Sequence, residues 1–159
     1  AITDDAEAVA AAKAKGVELM VCEPAQSRRD LITSMGIPCC LPDEVEDRKY
    51  DNVVVAVNRK ELVEQYVEKA ADAGTVLLFG GLKRGEDPAV SSHAIHYRQV
   101  SLTGSYGLDI AHFREALAMV EANKDSFRQL ITHRLPLEEG EKAFSMLQNA
   151  EALKIVLVP

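Results

Sequence analysis

The stretch from Tyr50 to Leu82 constrains the fold of this 159-residue chain more than any other. Residues 53–57 are an apolar, mostly β-branched run without polar alternation, which is typical of a strand buried on both faces of a parallel sheet. Residues 60–73 have the apolar spacing of an amphipathic helix, and we expect Gly74 to end that helix in a left-handed cap. Residues 75–79 are again apolar and predict the next strand. The order strand, helix, strand predicts a right-handed βαβ unit.

The ends of these two strands are the place to look for a ligand, because open α/β sheets bind ligands outside the carboxyl ends of their strands. Val57 and Asn58 follow the first strand, and Phe79, Gly80 and Gly81 follow the second. A further glycine turn follows the next predicted strand. Such glycines also fit ordinary tight turns. Their recurrence at two successive strand ends favours the ligand interpretation.

The rest of the chain alternates helices and strands. We expect helices over residues 4–15, 27–35, 109–123 and 137–149, and strands over residues 17–23, 37–41, 100–107, 130–137 and 153–159. This alternation predicts an α/β fold, with a mostly parallel sheet and helices on both faces. The length suits a single domain spanning residues 1–159.

Composition argues against several classes of function. The net charge of -7 argues against nucleic acid as the main partner, since phosphate binding needs a basic face. No apolar run approaches the ~20 residues of a membrane span. The first residues are polar and acidic, unlike a signal peptide. The chain has three cysteines, too few for a disulfide framework. We therefore expect a cytoplasmic protein.

The sequence predicts no catalytic and no metal-binding residues. Cys39 and Cys40 are adjacent, so they do not readily chelate one zinc ion together, and they are interpreted as small buried hydrophobic residues. His93 and His96 have a spacing that metals use on helices, but no acidic or cysteine cluster joins them. No triad of nucleophile, base and acid can be argued from spacing.

Six stretches resemble, in the right order, the cofactor-binding part of the medium-chain dehydrogenases and reductases. They are KAKGVELMVCEPAQSRRDLITSMG, YDNVVVAVN, AGTVLLFGGL, IHYRQVSLTGSYG, LITHRLPLEEGEKAF and LKIVLVP. The resemblance is to the zinc-type alcohol, polyol and threonine dehydrogenases. It implies a Rossmann-like domain that binds NAD for hydride transfer between an alcohol and nicotinamide. It also implies a homodimer joined through the sheet edge at residues 100–107. About residues 125–159 resemble the segment that, in this family, returns toward the catalytic lobe.

The resemblance also implies roles for individual residues. Glu23 matches the acid that hydrogen-bonds the adenosine ribose, which favours NAD because an acid repels a 2′-phosphate; a solvated acid at a strand end is the alternative. Arg28 matches an arginine beside the adenine. Lys154 matches a basic residue near the pyrophosphate, with a plain surface lysine as the alternative. The turns along the dinucleotide and its nicotinamide are matched by Val57, Asn58, Phe79, Gly80, Gly81, Ser105, Tyr106 and Gly107.

Two features of that family are not found. No glycine precedes Gly16, although the family has a G-x-G-x-x-G turn before the first helix, and Asp4 and Asp5 would oppose a phosphate there. The family's zinc ligands and catalytic lobe have no counterpart either. We therefore expect a Rossmann-like sheet that lacks its first strand and glycine-rich turn, and an isolated chain that is inactive. The alternative is a non-catalytic Rossmann-like module that binds a nucleotide or dimerises.

Overall fold

The structure is a computed structural model that describes residues 6–45 and 49–159. Its helices are α1 (Ala6–Ala14), α2 (Gln26–Ser34), α3 (Lys60–Val67), α4 (Ser92–His96), α5 (Ile110–Ala122), α6 (Lys124–Arg128) and α7 (Gly140–Gln148). Its strands are β1 (Val21–Cys22), β2 (Cys39–Cys40), β3 (Tyr50–Val55), β4 (Ala70–Leu78), β5 (Ser101–Gly104), β6 (Ile131–Pro136) and β7 (Lys154–Val158). Short 3-10 helices span Pro42–Glu44 and Leu137–Glu139.

The chain divides into two compact units. The first contains Met20–Cys22 and Cys40–Gly107, and the second contains Ala6–Leu19, Glu23–Cys39 and Leu108–Pro159. In the first unit β3, β4 and β5 form a parallel sheet in that order, and in the second β6 and β7 form a parallel pair. Strands β1 and β2 pair with each other. Parallel strands alternating with helices confirm the predicted α/β class.

The core of the first unit lies where α3 packs on β3 and β4. The central side chains of this core are almost fully buried: Val53, Val55, Val63, Tyr66, Val67 and Val76. Burying a valine of this kind stabilises the fold by roughly 1.5–3 kcal/mol. Burial of the central β3 side chains accounts for the uninterrupted apolar run in its sequence.

The helix of this βαβ unit is shorter than predicted, and Gly74 does not cap it. Helix α3 ends at Val67, and β4 begins at Ala70 and runs through Gly74. A Cβ atom on Gly74 would lie 2.8 Å from the carbonyl oxygen of Ala71 and 3.1 Å from that of Asp51. Gly74 is therefore required by a close approach of backbone inside the sheet, and not by a left-handed helix end.

Arg98 explains why the chain leaves the helix early. Its Nη1 donates to Glu68 Oε2 and its Nε donates to Asp72 Oδ1, each at 3.0 Å, while its Nη2 donates to the Ala70 carbonyl. The N–H of Ala73, whose φ is +60°, donates to the Arg98 carbonyl at 2.7 Å. These contacts hold the irregular start of β4 in an extended path that local helix propensity does not predict.

Two other predicted helix ends are confirmed. Helices α1 and α2 are followed by Gly16 and Gly36, whose φ angles of +68° and +72° are left-handed. The predicted cap of α1 at Thr3 or Asp4 lies outside the described residues, as does the part of the charged connector at residues 46–48.

Helix α5 of the second unit begins as its sequence predicts. Asp109 is its N-cap, and its Oδ1 accepts a hydrogen bond from the His112 N–H at 2.8 Å. That hydrogen bond lowers the pKa of the Asp109 carboxyl. Its apolar residues Phe113, Leu117 and Val120 are all exposed. Periodicity predicted the helix correctly, but the described residues do not cover its apolar face.

The second unit ends in a smaller βαβ element made of β6, α7 and β7. Ala143 of α7 is buried, whereas its neighbour Phe144 is 68% exposed. Among the described helices, none is both long enough and apolar enough to cross a membrane.

Candidate functional site

The parallel register brings the ends of three strands to one edge of the first unit. Val55 of β3 pairs with Leu78 of β4, and Leu78 pairs with Gly104 of β5. The Phe79 and Gly80 N–H groups both donate to the Val55 carbonyl, at 3.0 and 2.9 Å. The turn after β4 therefore folds back over the end of β3, at the edge where open α/β sheets bind ligands.

The turn after β5 lies at the same edge. The Ser105 N–H donates to the Leu78 carbonyl at 3.2 Å, which fixes the start of this turn against β4. Gly107 has a φ of +68°, and Tyr106 is fully exposed. Phe79 is 46% exposed. The sheet thus brings together, at one edge, the predicted residues Val57, Asn58, Phe79, Gly80, Gly81, Ser105, Tyr106 and Gly107.

Gly80 and Gly81 are glycines for different reasons. A Cβ on Gly80 would lie 2.7 Å from the carbonyl carbon and oxygen of Ala56 and from the carbonyl carbon of Val57. Because these are backbone atoms, no side-chain adjustment relieves the clash. A Cβ on Gly81 would meet no atom within 4 Å. Gly80 therefore packs the turn onto β3, whereas the backbone at Gly81 faces open space and is free to meet a ligand.

Glu23 directly follows β1 and is 2% exposed, which excludes the alternative of a solvated acid. Its Oε1 accepts a hydrogen bond from the Ala25 N–H at 2.7 Å. Its Oε2 lies 3.7 Å from Arg28 Nη1 and has no hydrogen-bond partner among the described residues. Burying a carboxylate oxygen without a hydrogen-bond donor costs free energy. Glu23 Oε2 is therefore suited to accept a hydrogen bond from a hydroxyl of a ligand.

The two arginines beside Glu23 are held differently. Arg29 Nη1 donates to the Glu23 carbonyl at 2.8 Å and to the Pro24 carbonyl at 2.6 Å, so Arg29 stabilises the chain after β1. Arg28 makes the long ion pair with Glu23, and its buried Nε lacks a hydrogen-bond partner in the described part of the chain. The long ion pair with Glu23 is thus the polar contact that the Arg28 side chain makes in the described part of the chain.

The remaining candidate residues are Lys154 and the histidines His93 and His96. Lys154 is exposed at the start of β7, and the structure does not test its predicted role. His93 and His96 contact the ring of Tyr97, at centroid distances of 5.1 and 4.6 Å. Within residues 6–45 and 49–159, no group of three or more His, Cys, Asp or Glu side chains is placed to hold a metal ion. The described residues therefore do not fit a zinc site.

Comparison with known proteins decides the family. The family of zinc-binding dehydrogenases matches residues 7–122, which is most of the chain. This chain belongs to the zinc-binding dehydrogenases. That membership confirms the resemblance drawn from the sequence.

Individual relatives agree with the family. The chain is 26% identical over 168 residues to L-threonine 3-dehydrogenase of Bacillus licheniformis, covering 96% of this chain and 47% of the relative. It is 33% identical over 92 residues to D-altritol 5-dehydrogenase of Agrobacterium fabrum, covering 58% of this chain and 27% of the relative. The chain thus spans half or less of the length of these relatives.

Solved structures show the same fold. The 2R,3R-butanediol dehydrogenase of Bacillus subtilis is similar with a TM-score of 0.86 at 17% identity, over 99% of this chain and 49% of that one. An alcohol dehydrogenase of E. coli complexed with NADH has a TM-score of 0.80 at 17% identity, over 95% and 48%. A zinc-binding dehydrogenase of Sinorhizobium meliloti bound to NADP has a TM-score of 0.72 at 21% identity, over 88% and 44%. These similarities confirm a Rossmann-like fold.

Proposed function

We propose that this chain is the cofactor-binding part of a cytoplasmic, NAD-dependent alcohol or polyol dehydrogenase, and that residues 1–159 act as a single Rossmann-like domain. The observation that carries the proposal is the buried Glu23 carboxylate, whose Oε2 has no hydrogen-bond partner among the described residues. The hydroxyls of the adenosine ribose are the donors that such an acid binds in dinucleotide-binding folds. A 2′-phosphate would be repelled by the same charge, so we assign NAD rather than NADP.

The nicotinamide end of the cofactor is assigned to the sheet edge of the first unit. Exposed backbone at Gly81, Tyr106 and Gly107 would offer N–H and carbonyl groups for the carboxamide, with Ser105 beginning that turn. Val57 and Asn58 would lie along the dinucleotide. Bound NAD supplies the hydride acceptor, while the protein supplies orientation. Arg28 would move from Glu23 to lie beside the adenine, and Lys154 would approach the pyrophosphate.

Replacing Glu23 with glutamine tests the assignment to NAD. We expect the chain to bind NADH at micromolar concentrations and more tightly than NADPH. Glu23→Gln should weaken NADH binding about tenfold, equivalent to ~1.4 kcal/mol, because a charge-assisted hydrogen bond becomes a neutral one. The substitution should also reduce the difference between the affinities for NADH and NADPH, because the charge that repels the 2′-phosphate of NADPH is gone. Calorimetric titration measures both affinities.

Asp30→Asn is the matched control, since Asp30 is an exposed acid of α2 whose partner, Gln26 Nε2, lies 2.7 Å away. It removes the same charge and should leave both affinities unchanged. Equal affinity of the unmodified chain for NADH and NADPH would contradict the role of Glu23. No binding at millimolar NADH would favour the alternative, a non-catalytic module.

We expect the isolated chain to hold cofactor without oxidising an alcohol. The described residues provide no zinc site to activate the hydroxyl, so the reaction needs groups from outside them. Incubation of the purified chain with NAD, zinc and threonine or a polyol should produce no NADH by absorbance. Sustained NADH production that depends on the chain would refute this part of the proposal.

We also propose a homodimer that joins through β5. Within the described residues, β5 pairs on one side only, with β4, and unpaired strand edges favour association. Sedimentation velocity should show a dimer. Thr103→Lys on β5 should shift the chain to monomer, because it places a lysine charge at the proposed β5 interface. Thr33→Lys, at an exposed position of α2, is the control. A monomer at the highest attainable concentration would exclude the dimer.

A further inference from the structure

Two thiols lie in contact at the end of β1, one residue before Glu23. The Sγ atoms of Cys22 on β1 and Cys40 on β2 are 3.5 Å apart, and neither cysteine is in a disulfide. A disulfide bond is about 2.05 Å long, so each sulfur would have to move by only about 0.7 Å to form one.

The two thiols differ in their surroundings. Cys22 is 5% exposed, and its burial, together with the neighbouring Cys40, raises the pKa of its thiol to about 12. Cys40 is only half-buried, with its Sγ 3.7 Å from the Val21 carbonyl oxygen. Cys40 is the more exposed residue of the pair, although it packs against the core, so we assign it as the one that a small oxidant attacks first, with Cys22 beside it as a protonated thiol.

We propose that Cys22 and Cys40 form a disulfide when a hydroperoxide oxidises Cys40. The Cys40 thiolate attacks one peroxide oxygen, an S–O bond forms, the O–O bond breaks, and hydroxide leaves to give a sulfenic acid. The Cys22 sulfur then attacks Cys40 Sγ, the S–S bond forms, and the S–O bond breaks. The departing hydroxide takes the Cys22 proton. With hydrogen peroxide, two thiols lose two electrons and two protons, and the peroxide is reduced to two waters.

The cross-link would close the loop that contains α2. It would also tether the end of β1 directly before Glu23. A dithiol reductant would reopen it by thiol–disulfide exchange, so the modification is reversible. Cys39 is the matched control in the same strand, because successive side chains of a strand point to opposite faces. If the contact between the Cys22 and Cys40 sulfurs directs the oxidation, the disulfide should therefore form with Cys40 and not with Cys39.

Peptide mapping tests the proposal on the full chain. The chain is reduced, desalted, treated with hydrogen peroxide, alkylated in denaturant and digested with trypsin without reductant. Trypsin releases Cys22 in peptide 16–28 and Cys39 with Cys40 in peptide 30–48, so the disulfide appears as these two peptides joined. We expect the joined species in the unmodified chain and in Cys39→Ser, its loss in Cys40→Ser, and its loss after dithiothreitol.

Other outcomes overturn the proposal. It is wrong if Cys40 is recovered as sulfinic acid while Cys22 is alkylated, or if the joined species persists in Cys40→Ser. A bond between Cys39 and Cys40 within peptide 30–48 would also refute it. Fragmentation of the joined peptides from the unmodified chain identifies the bonded sulfur directly, so the test stands even if Cys40→Ser fails to fold.

Discussion

The sheet edge of the first unit depends on one close contact, the packing of Gly80 against the backbone of Ala56 and Val57. With a Cβ position 2.7 Å from three backbone atoms, residue 80 tolerates only glycine. The contact lets the Phe79 and Gly80 N–H groups share the Val55 carbonyl, so the turn after β4 is fixed on the end of β3. Everything beyond that point, from Gly81 onward, then projects from a rigid base, which is what a binding edge needs.

Parallel pairing extends this fixed base across the sheet. Since Leu78 is paired with both Val55 and Gly104, the positions of the turns after β4 and β5 follow from one register. The carboxyl ends of parallel strands are where open α/β sheets bind ligands, because the turns there leave backbone groups unpaired. The site that we propose at this edge is thus formed by backbone groups, and the side chains of these turns are secondary to it.

The sequence predicted the parts of this fold that local pattern controls. The β-branched run predicted β3, the amphipathic spacing predicted α3 and α5, and Asp109 predicted the start of α5. It did not predict the start of β4, because Arg98, which holds that segment, lies 26 to 30 residues away from its two acidic partners. Gly74 was misassigned because its Cβ position is crowded by the Ala71 carbonyl within the irregular start of β4 and by the Asp51 carbonyl of β3.

The proposed site likewise has parts that the sequence predicted and parts that it did not. Its strand-end residues could be predicted because a parallel sheet aligns its carboxyl ends, and Glu23 followed from family resemblance. The burial of Glu23 and the lack of a hydrogen-bond donor to its Oε2 could not, since they depend on where the Ala25 N–H and the Arg28 side chain lie. The contact between Cys22 and Cys40 was also missed. Cys40 was interpreted as a small hydrophobic residue, and spacing along the chain does not show that β1 and β2 are neighbours.

The most direct test of the central claim, that the open backbone beyond Gly80 meets the nicotinamide, is the NADH affinity of Gly81→Val. A side chain at residue 81 enters space that holds no protein atom within 4 Å of the Cβ position, so stability should change by no more than about 0.5 kcal/mol. If the cofactor occupies that space, the dissociation constant for NADH should rise by about tenfold or more, a loss of at least ~1.4 kcal/mol. A variant that is equally stable and binds NADH as tightly as the unmodified chain would contradict the account.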